Sequence, residues 1–122
     1  MKRRIYYNNT DAGGVVYHTE YIKFCEQARS EVFFHNNIIF EDDGYVVKEL
    51  NAKYIKPAKL GDLIEIKTNI LEIKNASIKL LQEIFLEKTK IFSMTIILVY
   101  IKNNKISKIP QKHLRILNEL KK

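Results

Sequence analysis

The stretch Ile91–Lys102 limits what this chain can fold into more than any other. Read as a strand, it sends Phe92, Met94, Ile96, Leu98 and Tyr100 to one face and Ile91, Ile97, Val99 and Ile101 to the other. A strand with one wet face alternates apolar and polar residues, whereas a strand apolar on both faces has to be covered twice. One cover is a helix from about Glu20 to Asn36, where Tyr21, Phe24, Cys25, Ala28, Val32 and His35 recur at intervals of three and four. Thr19 reads as its N-cap, Glu20 complements the dipole, and the pair Asn36-Asn37 reads as its stop. For the second face the chain offers only the tail Gln111–Leu120, with Leu114, Leu117 and Leu120 following Pro110. That cover is incomplete, which predicts a second subunit.

The remaining segments supply a sheet. Lys2 to Tyr7 reads as a short strand near a sheet edge, followed by strands at about Tyr45–Ile55, Asp62–Lys74 and Ser77–Glu87. In Asp62–Lys74 the apolar phase shifts from Ile64, Ile66 and Ile70 to Leu71 and Ile73, which predicts a bulge near Ile70. The expected class is α+β: an antiparallel five-stranded sheet wrapped around one long central helix, with a short C-terminal helix. Residues 1–122 are expected to form a single domain. A chain 46% hydrophobic and 29% charged fits a globular protein. Its formal charge of +7 favours anionic partners. No basic run exceeds Lys2-Arg3-Arg4, so a small polyanion is expected and nucleic acid is not. The absence of a signal-like or membrane-length apolar run makes the expected compartment cytoplasmic, with no stable membrane insertion.

The chemistry concentrates in Tyr7-Asn8-Asn9-Thr10-Asp11-Ala12-Gly13-Gly14-Val15-Val16-Tyr17-His18-Thr19-Glu20-Tyr21. A Gly-containing loop presents one carboxylate, Asp11, and a helix begins near His18. A helix N-terminus carries unpaired N–H groups and partial positive charge, which can stabilise charge developing on a carbonyl oxygen. A carboxylate opposite it can act as base or nucleophile. Taken alone, the residues favour an Asp that only shapes a turn, because lone Asp-x-Gly loops are common.

The pattern Asp11-x-x-Gly14-x-Val16-Tyr17-His18-x-x-Tyr21, followed by Ala28-Arg29, resembles the signature of hotdog-fold acyl-CoA thioesterases of the 4-hydroxybenzoyl-CoA thioesterase class. It is most similar to their YbgC type, and Tyr54-x-x-Pro57-Ala58-x-Leu60-x-Asp62 extends the match. The resemblance implies a hotdog fold, hydrolysis of an acyl-CoA to free acid and coenzyme A, and no metal or cofactor. It places Asp11 at the catalytic carboxylate position and His18 at the oxyanion end of the helix. It puts Tyr7, Gly14, Val16, Tyr17 and Tyr21 around the substrate. In that family chains pair edge to edge, with sites at the dimer interface, and dimers often stack into a homotetramer; acyl carrier protein is a further candidate partner.

Asn8 and Asn9 depart from the family pattern, which is usually acidic there, and an acid restored at position 9 is expected to face Asp11. Cys25 lies on the apolar helix face and is not expected to be a nucleophile. His35 and His113 show no metal-ligand spacing. Ser77 is not expected in the site, and Lys53, Lys56, Lys59, Lys74, Lys79, Lys88 and Lys90 are all open as partners for coenzyme A phosphates. Two rivals stand beside hydrolysis: a hotdog protein that binds acyl thioesters or acyl carrier protein without turnover, and a basic nucleic-acid-binding domain.

Overall fold

Alternating burial organises the sheet from its centre outwards. The computed structural model describes residues 1–121. Strand β1 (Lys2–Arg4) and a 3-10 turn (Tyr7–Asn9) precede helix α1 (His18–His35). Strands β2 (Asp43–Tyr54), β3 (Leu63–Ile73), β4 (Ser77–Leu86), β5 (Thr89–Lys102) and β6 (Lys105–Ile106) follow, then helix α2 (Gln111–Glu119). The strands pair antiparallel in the order β1-β3-β4-β5-β2, with β6 added to β5. Registers such as Ile78↔Leu98, Leu80↔Ile96 and Ile84↔Phe92 put one buried set on the face toward α1. Tyr21, Phe24, Cys25 and Ala28 of the helix join that core. Fully burying each large apolar side chain there stabilises the fold by roughly 1.5–3 kcal/mol.

Several expectations hold. β1 lies at a sheet edge. The β3–β4 register shifts between Ile70 and Glu72, where the change of apolar phase predicts a bulge. Asn36 caps α1 with its N–H on the carbonyls of Phe33 and Phe34, and Asn37 takes a left-handed φ of 63°. The Cys25 thiol is buried and pushed up to about 12 by desolvation, so it is neither ionised nor accessible.

Other expectations are corrected. β1 ends at Arg4 rather than Tyr7, because Tyr6 N–H turns to Asn9 Oδ1 (2.9 Å) and the chain enters the 3-10 turn. The helix begins two residues before Glu20, and its N-cap is Tyr17, so Thr19 lies inside the first turn. Val32 and His35 are not buried, and Phe33 takes their place in the core. β6 adds a short sixth strand.

The tail helix α2 does not cover the outer face of β5. His113 packs among Phe33, Phe40, Tyr45 and Tyr100, all on the α1 side, so α2 extends the helical layer instead. Ile109 N–H on Asn75 O (3.0 Å) directs the tail to that side. Ile97, Val99 and Ile101 on the outer face remain half-buried, beside exposed Val46 and Ile106. Strand β2 pairs only with β5, leaving its other edge without a neighbour among the described residues.

Candidate active site

The Asp11 loop is a small hairpin whose stem ends at the start of α1. Tyr17 N–H donates to Asn9 O (3.0 Å), Thr10 bridges Val16, Asp11 N–H donates to Val15 O (2.9 Å), and Gly14 N–H donates to Asp11 O (3.1 Å). Gly14 closes the turn at φ +79°, a conformation strained for a residue bearing a side chain. Asp11 is exposed, and its Oδ1 accepts the Gly13 N–H at 2.8 Å. The stem is fixed from behind by the segment between β2 and β3. Val16 N–H reaches Ala58 O (2.9 Å), Leu60 N–H reaches Gly14 O (3.2 Å), and Val15 bridges Lys59.

At the end of this stem, α1 begins without a side-chain cap. Tyr17 is the N-cap, and Glu20 N–H turns back to Tyr17 O (2.9 Å) in a tight first turn. A start of this kind leaves N–H groups and the positive end of the dipole to be met by an outside acceptor. His18, the first helical residue, is exposed; its carbonyl accepts Tyr54 O–H (2.8 Å), and its ring leans on Tyr17 with centroids 4.5 Å apart.

The sequence candidates divide into two groups. Tyr7 is 80% exposed and Tyr17 50% exposed, so both rings are free to meet a ligand or a second chain. Val16 and Tyr21 are buried. Tyr21 stacks on Phe92 (5.3 Å), and its hydroxyl accepts Ala58 N–H (2.9 Å), so its phenol anchors the segment that backs the loop. Burial raises the Tyr21 phenol above its ordinary value. Of the candidate lysines, Lys53, Lys56 and Lys59 lie at the end of β2 and on this backing segment. Lys74 and Ser77 lie at the opposite end of the sheet, Lys79 on its outer face, and Lys88 and Lys90 at the β4–β5 turn.

Three residues have roles that sequence reasoning missed. Tyr54 fixes His18. Asn9 does not face Asp11: its Oδ1 accepts Tyr6 N–H (2.9 Å) and its Nδ2 donates to Glu20 Oε1 (3.0 Å). Gln82 is buried on β4, donating to Cys25 O (2.8 Å) and Thr68 Oγ1 (3.0 Å) and accepting from Arg29 (3.3 Å). A polar residue in an apolar alternation was the only available signal for Gln82. A cavity of about 1000 Å³ lies between the C-terminal half of α1, β1, β3 and α2, and neither Asp11 nor His18 lines it.

The chain has relatives among known proteins. Residues 13–93 match the thioesterase superfamily, and the chain belongs to that family. It is 44% identical over 87 residues to the acyl-CoA thioesterase YbgC of Helicobacter pylori, covering 70% of this chain and 65% of that protein. It is 40% identical over 86 residues to the acyl-CoA thioester hydrolase YbgC of Escherichia coli, covering 66% and 64% respectively. The matched stretch thus spans just under two-thirds of the length of those curated relatives. A hypothetical protein of Aquifex aeolicus with a solved structure superposes at a TM-score of 0.90 and 25% identity, covering 96% of this chain and 97% of its own. The expected fold is therefore correct: an α+β hotdog, its antiparallel sheet curled around α1. No helix among the described residues is long and apolar enough to cross a membrane.

Proposed function

We propose that the chain is a cytoplasmic acyl-CoA thioesterase that hydrolyses an acyl-CoA thioester to a free acid and coenzyme A. The observation that carries this reading is the Asp11 hairpin, stemmed on the uncapped first turn of α1 in a thioesterase-family chain. The thioester carbonyl approaches the helix start, where the N–H of His18 and the positive end of the dipole take up charge as the oxygen becomes an oxyanion. Asp11 either takes a proton from the attacking water or attacks the carbonyl carbon itself, forming an anhydride that water then opens. In both routes the thiolate of coenzyme A leaves and is protonated. Gly14 and Val16 shape the loop backbone beside the acyl group, Tyr7 and Tyr17 wall it, and Tyr21 supports it from behind. Lys53, Lys56 and Lys59, at the end of β2 and on the segment that backs the loop, are candidate cations for the phosphates of coenzyme A; the pantetheine arm of an acyl carrier protein presents the same thioester. No metal or further cofactor takes part in this scheme.

The chain acts as one domain in a homo-oligomer. The free edge of the twelve-residue β2, which carries half-exposed Tyr54 and Val47, supports edge-to-edge pairing into a dimer. The half-covered strip of Ile97, Val99 and Ile101 supports stacking of dimers into a tetramer. Thiol release from short, long and aromatic acyl-CoAs, measured alongside light scattering, tests the reading. Hydrolysis of at least one class by an oligomer is expected. Tight binding of acyl-CoA with no thiol release would instead make the chain a thioester-binding protein.

A further inference from the structure

Glu20 occupies the third helical position of α1, where a glutamate ordinarily turns back to accept the N–H of its own N-cap residue. Here it does not. The N–H of the N-cap, Tyr17, is taken by Asn9 O (3.0 Å), and the Glu20 carboxylate is held by Asn9 Nδ2 (3.0 Å). Asn9 Oδ1 is fixed in turn by Tyr6 N–H (2.9 Å). The assembly is enclosed: Asn9 is 6% exposed and the Glu20 side chain 13% exposed. Lys23 Nζ, 3.1 Å from Glu20 Oε2, and Arg3 are the cations that face the carboxylate. The Asn9 amide, with Lys23 and Arg3, holds the Glu20 carboxyl below its ordinary value.

We infer that Asn9 and Glu20 are a positioning pair that keeps the first turn of α1 open to the substrate carbonyl. One residue, two positions before Asp11, meets both needs of the helix start. Its carbonyl takes the N-cap N–H, and its amide draws the only acidic side chain of the first turn away from the remaining donors. A released Glu20 carboxylate would bring a full negative charge to the end where the oxyanion develops. The same residue ties the Asp11 hairpin to the helix, since its carbonyl closes the stem on Tyr17 N–H and its amide holds Glu20. The inference rests on the thioesterase reading for its catalytic half and on the hydrogen bonds alone for its structural half.

The test is a charge swap. Asn9→Asp sets two carboxylates against each other, Glu20→Gln leaves the Asn9 Nδ2 bond in place, and the double variant rebuilds the contact with donor and acceptor exchanged. Asn9→Asp should lower kcat by about tenfold or more with little change in KM, within the roughly hundredfold that a 1 Å misplacement can cost. Its deficit should grow as pH rises, because the crowded pair shares a proton at low pH and both members ionise above its raised pKa. Glu20→Gln alone, which keeps an acceptor for Asn9 Nδ2, should lose less kcat than Asn9→Asp, and Asn9→Asp/Glu20→Gln should regain kcat, lose the added pH dependence and recover the melting temperature. Asn9→Asp with wild-type kcat and melting, or a double variant no better than Asn9→Asp, would overturn the inference. A protein whose wild type hydrolyses no acyl-CoA, yet whose melting temperatures follow the swap, would retain the structural pair and refute the thioesterase reading and the catalytic half with it.

Discussion

The two ends of α1 are built to opposite specifications, about 27 Å apart for eighteen residues at 1.5 Å each. At the C-terminal end several contacts close the helix. Asn36 caps the last turn with its backbone, and its side-chain Nδ2 donates to Val32 O (2.6 Å). Phe33 stacks on Tyr45 (5.3 Å), Phe40 and His113 close over it, and Tyr45 O–H pairs with His113 Nδ1 at 2.9 Å. Tyr100 O–H donates to Asp43 Oδ2 at 2.5 Å beneath the same cluster. At the N-terminal end no side chain caps the helix, the adjoining rings Tyr7 and Tyr17 are exposed, and a glycine-closed hairpin holds a carboxylate in water. One end gains stability from burial and paired polar groups. The other forgoes about 0.5–2 kcal/mol of capping energy and leaves its first turn without a side-chain acceptor.

Substitutions at the two ends should therefore separate stability from activity. The largest effect is expected at Asp11. Asp11→Asn keeps the size and the Oδ1 acceptor for Gly13 N–H but removes the carboxylate, so turnover should fall by at least about a hundredfold, within the range for a positioned acid–base group. Its melting temperature should stay at the wild-type value, which differential scanning calorimetry checks. Near-wild-type hydrolysis would remove this loop from the chemistry.

The next largest effect belongs to the closed end. Tyr45→Phe leaves buried His113 Nδ1 without its partner, which should cost about 1–3 kcal/mol in a denaturant melt while leaving kcat unchanged. The same end should be acid-sensitive. Burial pushes His113 below its ordinary value of 6.5, so the unfolded chain takes up a proton that the folded one resists. This penalty is absent above about pH 6.5 and grows as the pH falls through that value toward the depressed folded one. His113→Asn should flatten the melting temperature between pH 7 and 5. Should the wild-type curve already be flat there, His113 is not buried in its neutral form.

The smallest effect is expected from His18→Ala, which removes the ring and keeps the first helical N–H. A loss of up to about tenfold in kcat, with no change in melting, would assign the main role to the backbone. A loss equal to that of Asp11→Asn would assign it to the imidazole.

How much of this was legible in the sequence follows the same division. The sheet and the closed end obey local rules: the period of two in β4 and β5, the shifted phase at Ile70–Leu71, and the Asn36-Asn37 stop all appear in the structure. The open end was misread where the rules were applied most directly. Thr19 is a good capping residue but lies inside the first turn, since the helix starts on Tyr17, where no side chain caps it. A missing cap leaves no sequence signal, and such departures are expected at functional sites. Asn9 was read by its proximity to Asp11 along the chain, yet its amide turns to Glu20, eleven residues away. The placement of α2 was also beyond local reading, because its apolar residues suit either sheet face and only the aromatic cluster around His113 distinguishes them.

The central claim is that the open start of α1 polarises the thioester carbonyl. Isotope-edited infrared spectroscopy of a ¹³C=O-labelled acyl-CoA bound to Asp11→Asn tests it most directly, because that variant is expected to bind the substrate and to turn it over at least about a hundredfold more slowly. The account predicts a carbonyl stretch shifted to lower frequency than in water, and a return toward the solution value when Asn9→Asp is added and the first turn is disturbed. A bound carbonyl at its solution frequency in Asp11→Asn would contradict the account, whatever the rates of the other variants.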